Sequence, residues 1–149
     1  MIPPQNLAAQ KQLIEQVKIF YRDMSDIKLT QLTDIYDSQV LFKDPVHEIR
    51  GIDNLHSYTE SLMQNVTTLR FEFLDQLVGN ESAYLKWNMH FTHPKLSNKP
   101  LTVRGMSQLQ FNDKVYYHED TYDLGEMLYE HLPILGMGTR FVKKRLKDF

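Results

Sequence analysis

The sequence predicts an α+β fold, with helices packed on one face of a mostly antiparallel sheet, and three observations carry that prediction. Apolar residues recur at helical spacing near the N-terminus, and after Asn65 the pattern becomes mainly strict alternation. Gly79-Asn80, Ser97-Asn98-Lys99-Pro100 and Asn112-Asp113 punctuate the alternating part as turns. Helix, helix, strand, helix and then a meander of strands is an α+β order.

The first helix is predicted from about Leu7 to Met24, because Leu13, Ile14, Val17, Phe20, Tyr21 and Met24 share one face, with Pro3-Pro4 as a frayed lead-in. Ser25-Asp26 then offers a cap for a short second helix carrying Leu29, Leu32, Ile35 and Tyr36. From Ser38 the period changes. Val40-Leu41-Phe42 reads as a short strand stopped by Pro45, which lacks a backbone donor. Beyond Gly51, the residues Leu55, Tyr58, Leu62 and Met63 give a third helix, with Asp53 near its positive end.

Four strands are predicted after Asn65. Ala83, Leu85, Trp87, Met89 and Phe91 alternate with Tyr84, Lys86, Asn88, His90 and Thr92. Leu101, Val103, Gly105, Ser107, Leu109 and Phe111 share a face of the next strand, and the earlier Leu69, Phe71 and Phe73 alternate in the same way. The last strand runs from Val115 to about Asp123 with His118, Asp120 and Tyr122 on one side. Gly125 and Pro133 bracket a further short helix, and a final one carries Phe141, Val142 and Leu146.

Composition narrows the function. A chain of 149 residues with 42% hydrophobic and 24% charged residues is one ordinary globular domain by length. A net charge of -2 gives no footprint for nucleic acid, which needs clustered cations on one face. The absence of cysteine excludes disulfides, thiol nucleophiles and thiolate metal sites. The six histidines include no pair at i, i+4, so neither a metal nor another cofactor is expected. Met1-Ile2-Pro3-Pro4-Gln5-Asn6 lacks the basic and apolar regions of a signal peptide, which makes a cytoplasmic location the default expectation. The basic tail Arg140, Lys143, Lys144, Arg145 and Lys147 reads as a solvated helix end, with contact to an anionic surface as the other reading; stable membrane insertion is not expected.

Chemistry concentrates at Phe42-Lys43-Asp44-Pro45-Val46-His47, where one acid stands between a strand and a proline. Asp44 has two readings: a general base at a pocket, or a loop cap that accepts backbone N–H groups.

The element order, together with Asp44-Pro45-Val46 and the following Gly51, resembles the nuclear transport factor 2-like superfamily, specifically its SnoaL-like branch, of which ketosteroid isomerase is a relative. The resemblance covers the chain from the first helix to about Tyr122. It implies a strongly curved antiparallel sheet wrapped around helices as a cone with a pocket, over a single domain of residues 1–149. The core would occupy about 7–123, with a helical appendage over about 124–149. It also implies a homodimer through the outer face of the sheet.

In the isomerase, an aspartate of the same motif moves a proton beside a carbonyl. By this resemblance Asp44 is the candidate base. His118 and Asp120 are its candidate assistants, since the last strand would aim them with Tyr122 into the cone. The isomerase's two oxyanion donors align with Phe20 and Ser107, so ketosteroid isomerisation itself is not expected. Phe20, His47, Tyr58, Trp87, Met89, Ser107 and Tyr122 are the candidate pocket residues; core packing is the competing role for Trp87 and Met89. The resulting expectation is a pocket for a small, mostly apolar molecule, with acid–base chemistry of the isomerase, cyclase or hydrolase type. The alternative is a non-catalytic binding or dimerisation module, which a cone plugged by Phe20, Tyr58, Trp87 and Met89 would favour.

Overall fold

The computed structural model describes residues 4–24, 29–96, 98–128, 141 and 144–147. Helix α1 spans Pro4–Arg22, and its inward face buries Leu13, Ile14, Val17 and Phe20 as the spacing predicts. Pro4, expected in a frayed lead-in, is already helical; a first-turn proline forfeits no intrahelical bond.

The second helical segment is shorter than the periodicity suggests. A 3-10 turn, Leu29–Gln31, leads into the single turn α2, Leu32–Ile35, and Tyr36 belongs to the next strand rather than to the helix. Ser25 and Asp26 lie outside the described residues. Leu32, Ile35 and Tyr36 are all buried, so the apolar periodicity here runs unbroken across a helix-to-strand junction.

Strand β1, Tyr36–Lys43, is followed by the short β2, Glu48–Arg50, which the sequence did not suggest. The turn Asp44-Pro45-Val46-His47 folds the chain back so that Lys43 pairs with Glu48. Gly51 then takes φ +86°, a region that favours glycine, and donates its N–H to Val40 O at 2.8 Å. That bond ties the entry of α3, Ile52–Asn65, to β1.

The remaining strands are β3, Thr68–Val78, β4, Ser82–Thr92, β5, Leu101–Phe111, and β6, Val115–Tyr122. Spatial order is β2-β1-β6-β5-β4-β3. All neighbours are antiparallel except β1 and β6, which run parallel and pair Phe42 with His118, so the sheet is mixed. A register shift between Phe73 and Asp75 in β3 marks a bulge, the device that bends a sheet most sharply.

The inner face of this curved sheet carries Leu69, Phe71, Leu85, Trp87, Val103, Leu109 and Phe111, all buried. Helix α1 lies against β3 and α3 against β1, closing the open side. Helix α4, Leu124–Leu128, follows β6; the rest of that predicted helix, to Pro133, lies outside the described residues, as does Val142 of the last one. Residues 144–147 are helical. Among the described helices, none is long and apolar enough to cross a membrane.

Candidate functional site

Between the inner face of the sheet and helices α1 and α3 lies a cavity of about 420 Å³. Most of its wall is apolar, including Met24, Leu55, Leu62, Val66, Leu69, Met89 and Phe91. Its polar groups include Tyr21, Asp44, His47, Tyr58, Thr59, Asp120 and Tyr122, with His93 and Lys95 of the loop after β4. An apolar wall with a few convergent polar groups is the usual build of a small-molecule site.

Asp44 owes its position to the β1–β2 turn. Its Oδ1 accepts the backbone N–H groups of Val46 at 2.8 Å and His47 at 2.7 Å, so the acid braces the turn across Pro45. The same carboxylate receives more. His47 Nδ1 lies 3.0 and 3.1 Å from its two oxygens, and Tyr58 of α3 donates to Oδ2 at 2.9 Å. Asp44 thus caps the turn, and it also lines the cavity. Its side chain is 4% exposed, whereas that of His47 is 47% exposed at the rim.

Asp120 is held differently. Ser107 Oγ donates to its Oδ1 at 2.5 Å, and His118 Nε2 meets the same oxygen at 2.7 Å. Trp87 Nε1, which can only donate, bonds to Ser107 Oγ at 2.8 Å and so leaves the serine hydrogen for Asp120. Cross-strand pairing explains the cluster, because Ser107 faces Asp120 and Leu109 faces His118 across β5 and β6. No described residue hydrogen bonds Asp120 Oδ2, and Asp120 lines the cavity.

On its other side, His118 Nδ1 lies 2.7 Å from Tyr36 Oη, which in turn lies 2.6 Å from Tyr21 Oη. Phe42 and Tyr21 rings pack against the His118 imidazole, which is 2% exposed. Burial drives the Tyr21 and Tyr36 phenols well above their ordinary range. Tyr58 and Tyr122 are raised first by burial and then by the charge of Asp44, with Asp120 adding to both. Strands β1 and β6 pair Phe42 with His118 and Lys43 with Glu119, which brings Asp44, just beyond β1, and Asp120 to the same edge of the cavity. The four phenols stay protonated and available as donors.

Of the residues singled out from sequence, His47, Tyr58, Trp87, Met89 and Tyr122 line the cavity beside Asp44 and Asp120. His118 and Ser107 stand one layer behind, bordering a small void under Asp120. Phe20 does not line the cavity: its side chain faces a separate hollow beside Gln31 and Ile35. The next residue, Tyr21, turns in instead. Sequence reasoning passed over Tyr21 and Tyr36; the apolar face of α1 includes both Phe20 and Tyr21, and only packing decides which ring reaches the cavity. The cavity is not plugged by Tyr58, Trp87 and Met89, which form its wall.

The SnoaL-like domain family matches residues 17–118 of this sequence. The chain belongs to the SnoaL-like family. Solved structures share its fold at low identity. A protein from Shewanella putrefaciens named as a SnoaL-like polyketide cyclase superposes with a TM-score of 0.68 at 18% identity, covering 85% of this chain and 95% of its own. A hypothetical protein of ketosteroid isomerase-like fold from Catenulispora acidiphila, solved with trimethylamine, gives 0.71 at 9% identity, over 82% and 94% of the two chains. A protein of nuclear transport factor 2-like fold from Burkholderia pseudomallei gives 0.70 at 14%, over 80% and 94%. No curated protein matches the chain. This SnoaL-like chain thus has the curved-sheet α+β architecture of its relatives, and the family match stops two residues short of Asp120.

Proposed function

We propose that this SnoaL-like protein binds a small, mostly apolar carbonyl compound in its cavity and moves a proton on it without a cofactor, as an isomerase or cyclase does. One observation carries the reading. Two carboxylates, each bonded to an imidazole, line a cavity whose wall is mostly apolar. An apolar wall retains a hydrocarbon body, and a carboxylate held beside it can accept a proton from carbon next to a carbonyl.

The geometry divides the two acids' roles. Asp44, the base expected from the motif, has both oxygens engaged by backbone N–H groups, His47 and Tyr58. Asp120 keeps Oδ2 without a partner among the described residues while His118 and Ser107 hold Oδ1. Asp120 is therefore the proton acceptor, and Asp44 with Tyr58 fixes the polar end and orients the ligand.

The test is hydrogen exchange. Apolar ketones and ketoesters small enough for about 420 Å³ are incubated with the protein in deuterium oxide, and incorporation beside the carbonyl is followed by mass spectrometry. The proposal expects catalysed incorporation into compounds that bind. Binding without exchange across the panel would leave a non-catalytic ligand-binding module instead.

We further propose a homodimer through the outer face of the sheet, where Leu77 and Tyr84 are cross-strand neighbours and exposed, with Met106 nearby on β5. Light scattering coupled to size exclusion would contradict it by finding a monomer at micromolar concentration.

A further inference from the structure

The loop after β4 brings a second set of polar groups to the cavity, apart from the two acids. Trp87, Met89 and Phe91 of β4, and His93 just beyond it, follow at every second residue and all line the cavity. Along an extended chain the steps from Trp87 to His93 cover about 20 Å. Asp44 and Asp120 belong to β1 and β6, and β5 separates β6 from β4 in the sheet. His93-Pro94-Lys95-Leu96 is a turn in which Leu96 donates its N–H to His93 O at 3.0 Å, with Pro94 presetting the backbone at the second position. That turn places His93, Lys95 and Leu96 on the cavity together. The Lys95 backbone N–H, which can only donate, meets His93 Nδ1 at 3.1 Å, so the ring carries its hydrogen on Nε2. Neither His93 Nε2 nor Lys95 Nζ has a hydrogen-bond or ion-pair partner among the described residues. Among the described lining residues, Lys95 is also the one lysine or arginine.

We infer that His93 Nε2 and Lys95 Nζ form an anion subsite separate from the two acids, and that the compound bound is an apolar carboxylic acid whose carboxylate they hold. An ammonium beside one imidazole N–H matches a single carboxylate, with a donor for each oxygen and one charge of each sign. A phosphate dianion would leave one charge uncompensated. Leu62, Val66, Leu69, Met89 and Phe91 supply the apolar wall that receives the hydrocarbon body. The acids enforce the direction of binding, since a carboxylate placed beside Asp44 or Asp120 would meet like charge. Lys95 is exposed, so its charge stays hydrated until the carboxylate reaches it, and the desolvation cost of a buried cation does not arise. The inference rests on the proposed binding of an apolar carbonyl compound, which the subsite makes an oxo acid: its carbonyl stands at Asp120 and its carboxylate at Lys95. The subsite itself requires only the cavity, not proton transfer.

Octanoate and octanamide share a shape and differ in charge, and calorimetric titration of the whole chain reads the affinity of each. The wild type should bind octanoate about tenfold more tightly than octanamide, the worth of one hydrogen bond to a charged group. Lys95→Gln should bring octanoate to the affinity of octanamide, with much less effect on octanamide itself. Lys95→Arg keeps the charge and should keep most of the preference. His93→Phe keeps a ring without its donor and should remove part of it. Raising the salt from about 0.05 to about 0.5 M should also erode the preference, because the cation is exposed. Equal binding of the two probes by the wild type, or a preference that survives Lys95→Gln, overturns the subsite while the cavity reading stands. If neither probe binds, the cavity reading falls and the subsite with it.

Discussion

His118 Nε2 lies 2.7 Å from Asp120 Oδ1, and that bond joins the wall of the cavity to the buried interior. His118 is therefore structural and chemical at once. Replacing it by leucine leaves the Tyr36 hydroxyl without its imidazole partner and removes the imidazole from Asp120 Oδ1, in a site 2% exposed. Urea unfolding should show a loss of about 2–4 kcal/mol, the cost of stranding buried polar groups.

Gly105 is fixed by Trp87. A Cβ at this position would collide with the indole, which lies over the glycine across the β4–β5 pair. Gly105→Ala should cost about 1–3 kcal/mol through overpacking and push the ring toward the cavity. Because Trp87 is the sole tryptophan, its emission should change in the folded variant, and the bond to Ser107 Oγ should weaken with it.

Asp44 should behave mainly as a brace. Asp44→Ala removes the acceptor of two backbone N–H groups and of Tyr58, and thermal or urea unfolding should report a loss of about 2–4 kcal/mol. An unchanged midpoint would mean that the turn stands without its cap.

Alkaline pH should destabilise the protein steeply. Tyr21, Tyr36, Tyr58 and Tyr122 hold their protons in the folded state to higher pH than in the unfolded chain, mostly through burial. Their contribution is complete below about pH 10 and is lost as the unfolded chain ionises above it, at about 1.4 kcal/mol per proton per pH unit. Tyr58→Phe should make the fall of unfolding free energy between about pH 10 and 11 shallower by one such proton. An unaltered slope would contradict the burial of that phenol.

The sequence made the layers legible because burial on one face leaves a period. Alternation along Ala83 to Phe91 and Leu101 to Phe111 corresponds to β4 and β5, and both strands pair in the register that places those residues inward. Strand β2 was illegible, since Glu48-Ile49-Arg50 is too short to show a period and exists because Asp44 folds the turn before it. Tyr36 was misjudged because its burial continues the helical spacing of Leu32 and Ile35 into β1. At the site, spacing alone brought His118, Asp120 and Tyr122 to one face. The partners that differentiate the acids come from elsewhere in the chain: Tyr58 from α3, Ser107 from β5 and Tyr36 from the start of β1. Such cross-element bonds leave no mark in a local pattern.

The division of labour between the two acids is tested most directly by measuring deuterium exchange into one bound ketone with the wild type, Asp120→Asn and Asp44→Asn, each corrected for the folded fraction. The account predicts that Asp120→Asn loses exchange by about a hundredfold or more, the usual contribution of a general base, with ketone affinity nearly unchanged. Asp44→Asn should lose less and bind the ketone more weakly. The reverse order, with exchange surviving in Asp120→Asn and abolished in Asp44→Asn, would contradict it.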